Sequence, residues 1–258
     1  LRAYALAPDG SWRGELRLAA SFLTRLPVPL GPEAGQPLAA AARAFPLVGV
    51  GVGLAAGIVY ALADIAALAS TLSALLAVAA SVLITGALHE DGLADTADGF
   101  GGGRDAPQKL ALMRDSHIGS FGVLALIFAV GLKASALSYA GWSGEAVLIL
   151  VAAGALSRAC LPAVMYLLEP ARGEGLGWQA GRPEQRRVVD AAALGVVIAV
   201  LCLGAIGGIL AVVAAGLAAA GVAWLAQRQI GGLPGDVLGA VQQAAEVAAL
   251  IAYLAAPL

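Results

Sequence analysis

Seven apolar stretches, each about 16 to 24 residues long, constrain this chain more than any other feature, because ~20 apolar residues in a helix cross a ~30 Å hydrocarbon core. They run approximately over Phe45–Ala63, Leu72–Leu88, Phe121–Tyr139, Val147–Leu168, Ala191–Ile206, Ile209–Leu225 and Val237–Leu254. Hydrophobic residues make up 60% of the chain and charged residues 12%, with a mean hydropathy of +0.87. A water-soluble core cannot hide that much apolar surface. The expected fold is all-α: a polytopic membrane helical bundle of about seven transmembrane helices. It would form one integral membrane domain over residues 1–258, with an amphipathic N-terminal segment at 1–32 and the transmembrane bundle at 45–254.

Only Gly207-Gly208 separates the fifth and sixth stretches. A single helix over residues 191–225 would be ~52 Å long at 1.5 Å per residue, so a tight hairpin is expected, with re-entrant segments left open. The basic residues test the count independently, since they accumulate in cytoplasmic loops. Of fifteen, five precede the first stretch, three lie between the second and third, four between the fourth and fifth, and one between the sixth and seventh. Lys133 and Arg158 alone fall within the stretches. This alternation predicts a cytoplasmic N-terminus, an outward C-terminus and cytoplasmic loops at Glu90–Gly119, Glu169–Asp190 and Gln227–Gly235, in a cytoplasmic (inner) membrane.

Between Arg13 and Leu26 the polar residues Arg13, Arg17, Ser21 and Arg25 recur every four positions, with Leu16, Ala19, Ala20, Leu23 and Leu26 opposite them. Such a helix lies in the membrane interface. The prolines of Leu26-Pro-Val-Pro-Leu-Gly-Pro32 end it. No compact apolar region with a small-residue cleavage site occurs in the first forty residues, so the start is expected to be retained. A net charge of −2 gives no case for nucleic acid. Cys160 and Cys202 lie inside apolar stretches without metal or redox spacing and read as packed thiols.

The chemistry gathers in His89-Glu-Asp-Gly-Leu-Ala-Asp-Thr-Ala-Asp98. Asp91, Asp95 and Asp98 are spaced i, i+4, i+7, which places three carboxylates on one face of a helix. They repel one another unless a cation sits among them, and oxygen-only ligation suits Mg²⁺ or Mn²⁺. A solvated acidic helix end is the competing reading. Gly99-Phe-Gly-Gly-Gly-Arg104 follows, a glycine-rich stretch whose amides, including those of Gly101 and Gly102, can approach a phosphate, or which is merely a loop tip. Met113 to Gly122 adds Arg114, Asp115, Ser116 and His117; a later loop adds Arg172 and Glu174; the last stretch carries Asp236, Gln242, Gln243 and Glu246. Ionisable groups at membrane depth face the protein interior, so Lys133, Arg158 and Glu246 are candidates for an internal polar site or for ion pairs between helices.

Taken together, these motifs resemble the cobalamin synthase family, also called adenosylcobinamide-GDP ribazoletransferase. The matching segments are Phe22-Leu-Thr-Arg-Leu-Pro27, Phe45-Pro-Leu-Val-Gly49, Thr85 to Gly99, Met113 to Gly122, Arg172 to Gly177 and Gly231 to Glu246, in the family's order. His117, Pro234 and Gln243 depart from its pattern, where arginine, threonine and glutamate are usual, and carry no assigned role. The resemblance implies a magnesium-dependent phosphotransferase. A hydroxyl of α-ribazole, or of its 5′-phosphate, attacks the cobinamide-side phosphorus of adenosylcobinamide-GDP, displacing GMP and giving adenosylcobalamin or its 5′-phosphate. In that reading Asp91, Asp95 and Asp98 bind metal, and one of them or His89 takes the proton. Arg25, Gly101, Gly102, Arg114, Asp115, Lys133, Arg158, Arg172, Glu174, Asp236 and Glu246 are the candidate substrate-binding residues. The implied partners are the two substrates and the lipid bilayer, with room for a homo-oligomer.

Two rival readings remain. A CDP-alcohol phosphotransferase also uses metal-bound aspartates, but here Asp91-Gly-Leu-Ala is followed by Asp95 rather than by Ala-Arg. A cation- or proton-coupled transporter would spread its charges through the membrane depth, whereas most polar residues here collect in loops.

Overall fold

The computed structural model describes residues 11–31, 33–173 and 175–255; Glu174, and the first ten residues of the expected N-terminal segment, lie outside the described residues. All named elements among them are helical. In order they are α1 (Trp12–Leu23), a 3-10 stretch (Leu38–Ala44), α2 (Phe45–Ile65), α3 (Ser70–Thr85), α4 (Leu88–Gly102), α5 (Ala106–Leu112), α6 (Ser120–Leu137), α7 (Ser143–Leu167), α8 (Leu176–Gln179), α9 (Gln185–Ile230) and α10 (Gly235–Leu254). Among the described residues five helices are long and apolar enough to cross a membrane, or six if α3 and α4 together count as one bent span. Leu62, Leu83, Leu201 and Leu217 stand at least 60% exposed on them. Such outward faces suit lipid, and they mark a membrane protein.

Small residues let the helices touch. On α2, a Cβ on Gly49 would lie 2.0 Å from the Gly154 carbonyl oxygen of α7, and one on Gly53 would lie 2.3 Å from that of Leu150. No larger residue fits at this crossing. α1 begins at Ser11, whose hydroxyl caps it by accepting the Gly14 N–H. Its buried side is Glu15, Leu18, Ala19 and Leu23, while Trp12, Leu16 and Phe22 face outward. Glu15 holds α1 down through Arg43 at 2.6 Å and Arg187 at 2.5 Å.

Two expectations change in detail. The 46-residue α9 is interrupted at Gly204, in the left-handed region at φ 73°. A Cβ on Gly208 would fall 2.7 Å from the Val200 Cα, although residues eight apart in one helix are ~12 Å apart. The chain therefore doubles back as expected, but at Gly204 rather than at Gly207-Gly208. Those two glycines serve packing instead, against Tyr253 and Val200 respectively. The second difference concerns Gly101 and Gly102, which form the last turn of α4 and not a flexible loop. Space is the reason: a Cβ on Gly101 would meet the Phe121 ring at 2.6 Å.

The feature that creates the site is a 92° bend between α3 and α4. Gly86 and Ala87 are both left-handed, at φ 65° and 59°. Arg25 packs across the bend, its backbone N–H donating to the Ile84 carbonyl at 2.7 Å and its side chain filling the space where a Gly86 Cβ would stand. α4 thus leaves the line of α3 and presents its polar residues at one end of the bundle.

Candidate active site

α4 meets α10 at two glycines. A Cβ on Gly92 would come 2.6 Å from the Asp236 carbonyl oxygen, and one on Gly239 would come 2.9 Å from the Gly92 Cα. This backbone contact brings Asp236 into the electrostatic neighbourhood of Asp91 and Asp95. Burial pushes the Asp95 carboxyl, in the polar helix past the bend, up to about 6, with the charges of Asp91, Asp236 and Asp98 adding to the shift. Like charge held together in this way is what a cation relieves.

Facing these carboxylates are two arginines. Arg114 and Arg172 line a cavity of about 200 Å³ together with Trp178, Pro234 and Asp236, and both act electrostatically on Asp236. Arg172 also donates to the Leu110 carbonyl, which fixes its direction. The wall behind it is built where two loops zip together: the Leu233 N–H donates to the Glu169 carbonyl at 2.8 Å and the Ala171 N–H to that of Leu233 at 3.3 Å. Thus Arg172, in one loop, and Asp236, in the first turn of α10, are distant in sequence but both follow closely on one short parallel bridge between Pro170 and Leu233.

Asp98 behaves differently from its two partners. Its Oδ2 accepts the Gly119 N–H at 2.7 Å and its Oδ1 the Gly122 N–H at 2.8 Å. These are free amides at the start of α6, so Asp98 caps that helix and ties it to α4. Among the described residues no group of three or more His, Cys, Asp or Glu is arranged to hold a metal ion. The donor chemistry nevertheless fits Mg²⁺, which takes one or two carboxylates and completes its shell with water and phosphate oxygens.

Deeper in the bundle lies the internal polar cluster. Lys133 of α6 stands 3.6 Å from Glu90 of α4 and 3.4 Å from Glu246 of α10. Gln242 donates to Glu246 at 2.9 Å and to the Ser157 hydroxyl at 3.1 Å. Gln243 donates to Glu90 at 2.9 Å. Arg158 bonds to the Gly154 carbonyl and the Ser157 hydroxyl. All seven residues, Lys133, Glu90, Glu246, Gln242, Gln243, Ser157 and Arg158, are at most 8% exposed, and Glu90 of this cluster is the chain neighbour of the exposed Asp91. An amide at position 243 adds no third carboxylate to the two that Lys133 and Arg158 balance.

Other candidates are placed elsewhere. Arg25 belongs to the α3–α4 bend, and the exposed Asp115 accepts from the His117 ring at 2.8 Å and from its backbone N–H at 3.0 Å, which hold its carboxyl below the usual range. Gly101 and Gly102 lie in helix. His89 is 3% exposed, with its Nε2 buried and unpartnered. Sequence reasoning passed over Glu90, whose signal was its place one residue from Asp91: adjacent helical positions point ~100° apart, so Glu90 does not share the face of Asp91, Asp95 and Asp98.

A family model described as cobalamin-5-phosphate synthase matches residues 15–254. A protein of Bradyrhizobium diazoefficiens named adenosylcobinamide-GDP ribazoletransferase is 48% identical over 238 residues, 92% of this chain and 92% of its own. One of that name from Mesorhizobium japonicum is 45% identical over 237 residues, 92% of this chain and 91% of its own. Another, from Brucella canis, is 40% identical over 255 residues, 94% of this chain and 97% of its own. No solved structure matches the chain.

Proposed function

The chain belongs to the cobalamin-5-phosphate synthase family, and from that premise we propose that it transfers the phosphoester of adenosylcobinamide-GDP to α-ribazole or its 5′-phosphate. The acceptor hydroxyl oxygen bonds to the cobinamide-side phosphorus, the bond to GMP breaks, and the hydroxyl proton leaves. Adenosylcobalamin, or its 5′-phosphate, and GMP result. The observation that carries this reading is the position of Asp236, which shares one cavity with Arg114 and Arg172 and one helix crossing with Asp91 and Asp95.

Phosphoryl transfer asks for positioning and charge neutralisation more than for a special nucleophile. Arg114 and Arg172 would hold the diphosphate from one side. Asp91, Asp95 and Asp236 would hold Mg²⁺, or Mn²⁺, from the other, with Asp98 near enough to add its charge. The ion would supply neutralisation of the phosphate oxygens. One of these carboxylates would accept the hydroxyl proton. Buried in its wall, His89 is less suited to that task than to contact with substrate.

The membrane reading goes further than a count of apolar helices. Doubling back at Gly204 supports two spans in α9 and seven in total, with α3 spanning and α4 lying at the cytoplasmic surface of an inner membrane. The amphipathic α1 would rest in the interface. Incubating purified protein with adenosylcobinamide-GDP, α-ribazole and Mg²⁺ tests the activity: GMP should appear, and chelation should stop it. No GMP under any divalent cation would remove the assignment.

A further inference from the structure

A second cavity also meets Asp236, with neither Arg114 nor Arg172 in its lining. It measures about 90 Å³, and its walls are apolar: Phe22, Phe45, Leu161 and Met165 among them, with His89, Asp91 and Asp236 as the polar edge. No lysine or arginine lines it. A diphosphate would find no partner there and would meet two carboxylates. What the walls do suit is a flat, neutral ring, since ligand sites are mostly apolar with a few placed polar groups. The polar group is at hand. His89 is 3% exposed, and among the described residues its Nε2 has no hydrogen-bond partner; buried polar atoms are rarely left so.

We infer that this cavity receives the heteroaromatic base of the acceptor nucleoside, with the His89 side chain at its polar edge. The inference rests on the ribazoletransferase reading and deepens it, since α-ribazole carries a substituted benzimidazole on its ribose. The base enters first, the sugar hydroxyl stays near Asp91 and Asp236, and the anionic donor occupies the arginine side. The two substrates would then meet at Asp236, which lines both cavities, and transfer between them requires such a meeting.

Size sets how the base sits. The cavity is smaller than the ~150 Å³ that encloses a benzene ring, so it takes the leading edge of the bicycle. The remainder lies in an adjoining cavity of about 430 Å³, which shares Met165, Ala180 and Leu238 with it. Met165 stands between the two, and its unbranched side chain can shift to widen the passage.

The test uses the full chain in lipid nanodiscs, with Met165→Phe, His89→Phe and His89→Gln beside the wild type. Binding of 5,6-dimethylbenzimidazole is followed by ligand-observed NMR against empty nanodiscs, and GMP release gives KM for each substrate. Wild type should bind the base above the empty discs. Met165→Phe should raise KM for α-ribazole about tenfold or more, as a pocket does when its volume changes by a methylene or more. KM for adenosylcobinamide-GDP should stay within about twofold, the pattern of a lost contact to one substrate only. His89→Gln, which keeps a donor and acceptor, should lose less than His89→Phe; this pair carries the test if Met165→Phe does not fold. Base binding no greater than in empty discs, an unchanged KM for α-ribazole, or both KM values rising together would overturn the inference. Base binding without any GMP from wild type would instead sink the transfer reaction and leave the cavity assignment standing.

Discussion

Gly92 and Gly239 are in backbone contact where α4 crosses α10: a Cβ on Gly239 would lie 2.9 Å from the Gly92 Cα and 2.8 Å from the His89 carbonyl oxygen. This contact sets how closely α4, with Asp91, approaches α10, with Asp236.

Replacing either glycine by alanine must therefore push the two helices apart. Gly239→Ala should cost about 2 kcal/mol by overpacking, and GMP release should fall about a hundredfold, because a shift of ~1 Å in a catalytic arrangement costs that much. Gly51→Ala on α2, where a Cβ meets nothing within 4 Å, is the control and should leave both unchanged. Thermal unfolding in detergent and the GMP assay read the two effects; full activity in Gly239→Ala would show that the crossing does not position the site.

Asp91, Asp95 and Asp236 should each lose about a hundredfold in rate on conversion to Asn, through loss of electrostatic stabilisation. Folding should be preserved, since Asp91→Asn and Asp95→Asn remove like-charge repulsion and Asp236→Asn removes the burial penalty on a charge, which outweighs its attraction to Arg172. Raised Mg²⁺ should restore part of the rate to a variant that only binds the ion weakly. Three near-normal rates at limiting Mg²⁺ would reduce the carboxylates to a solvated helix end.

Asp98→Asn is expected to differ from those three by losing stability. An amide keeps one acceptor oxygen where the carboxylate offers two, so one of the bonds to Gly119 and Gly122 is lost at the start of α6. About 2 kcal/mol is expected, the worth of a hydrogen bond to a charged group. A variant as stable as wild type but inactive would make Asp98 a metal ligand and nothing more.

Lys133→Met leaves two buried carboxylates, Glu90 and Glu246, with Arg158 to balance them both. Removing one partner of a buried pair costs about 3 kcal/mol or more. Adding Glu246→Gln should recover part of that loss, because the amide needs no counter-charge. Unfolding midpoints of the two variants decide it: a double variant no better than Lys133→Met alone would show that Lys133 contributes packing and not charge balance.

Topology is open to labelling in a background lacking Cys160 and Cys202. Cysteines placed at Gly103 and Gly181 should react with an impermeant reagent from the cytoplasmic face, and one at Gly144 from the opposite face. Reaction of Gly103 and Gly144 positions from the same side would remove the seven-span arrangement.

The apolar helices, the reversal within residues 191–225, the acidic face of α4 and the inward placement of Lys133, Arg158 and Glu246 were all legible from the sequence. Each follows from local rules: hydropathy and length set a span, helical spacing sets a face, and the cost of burying charge sends ionisable groups inward. Tertiary structure alone decided the 92° bend at Gly86-Ala87, the meeting of Asp236 with Asp91, the capping of α6 by Asp98 and the division of Glu90 from Asp91 between interior and surface. Periodicity tells which residues share one side of a helix. Which other helix covers that side depends on where two backbones can touch, and that is settled by residues such as Gly92 and Gly239, 147 positions apart in the chain and blank in every local pattern because they carry no side chain.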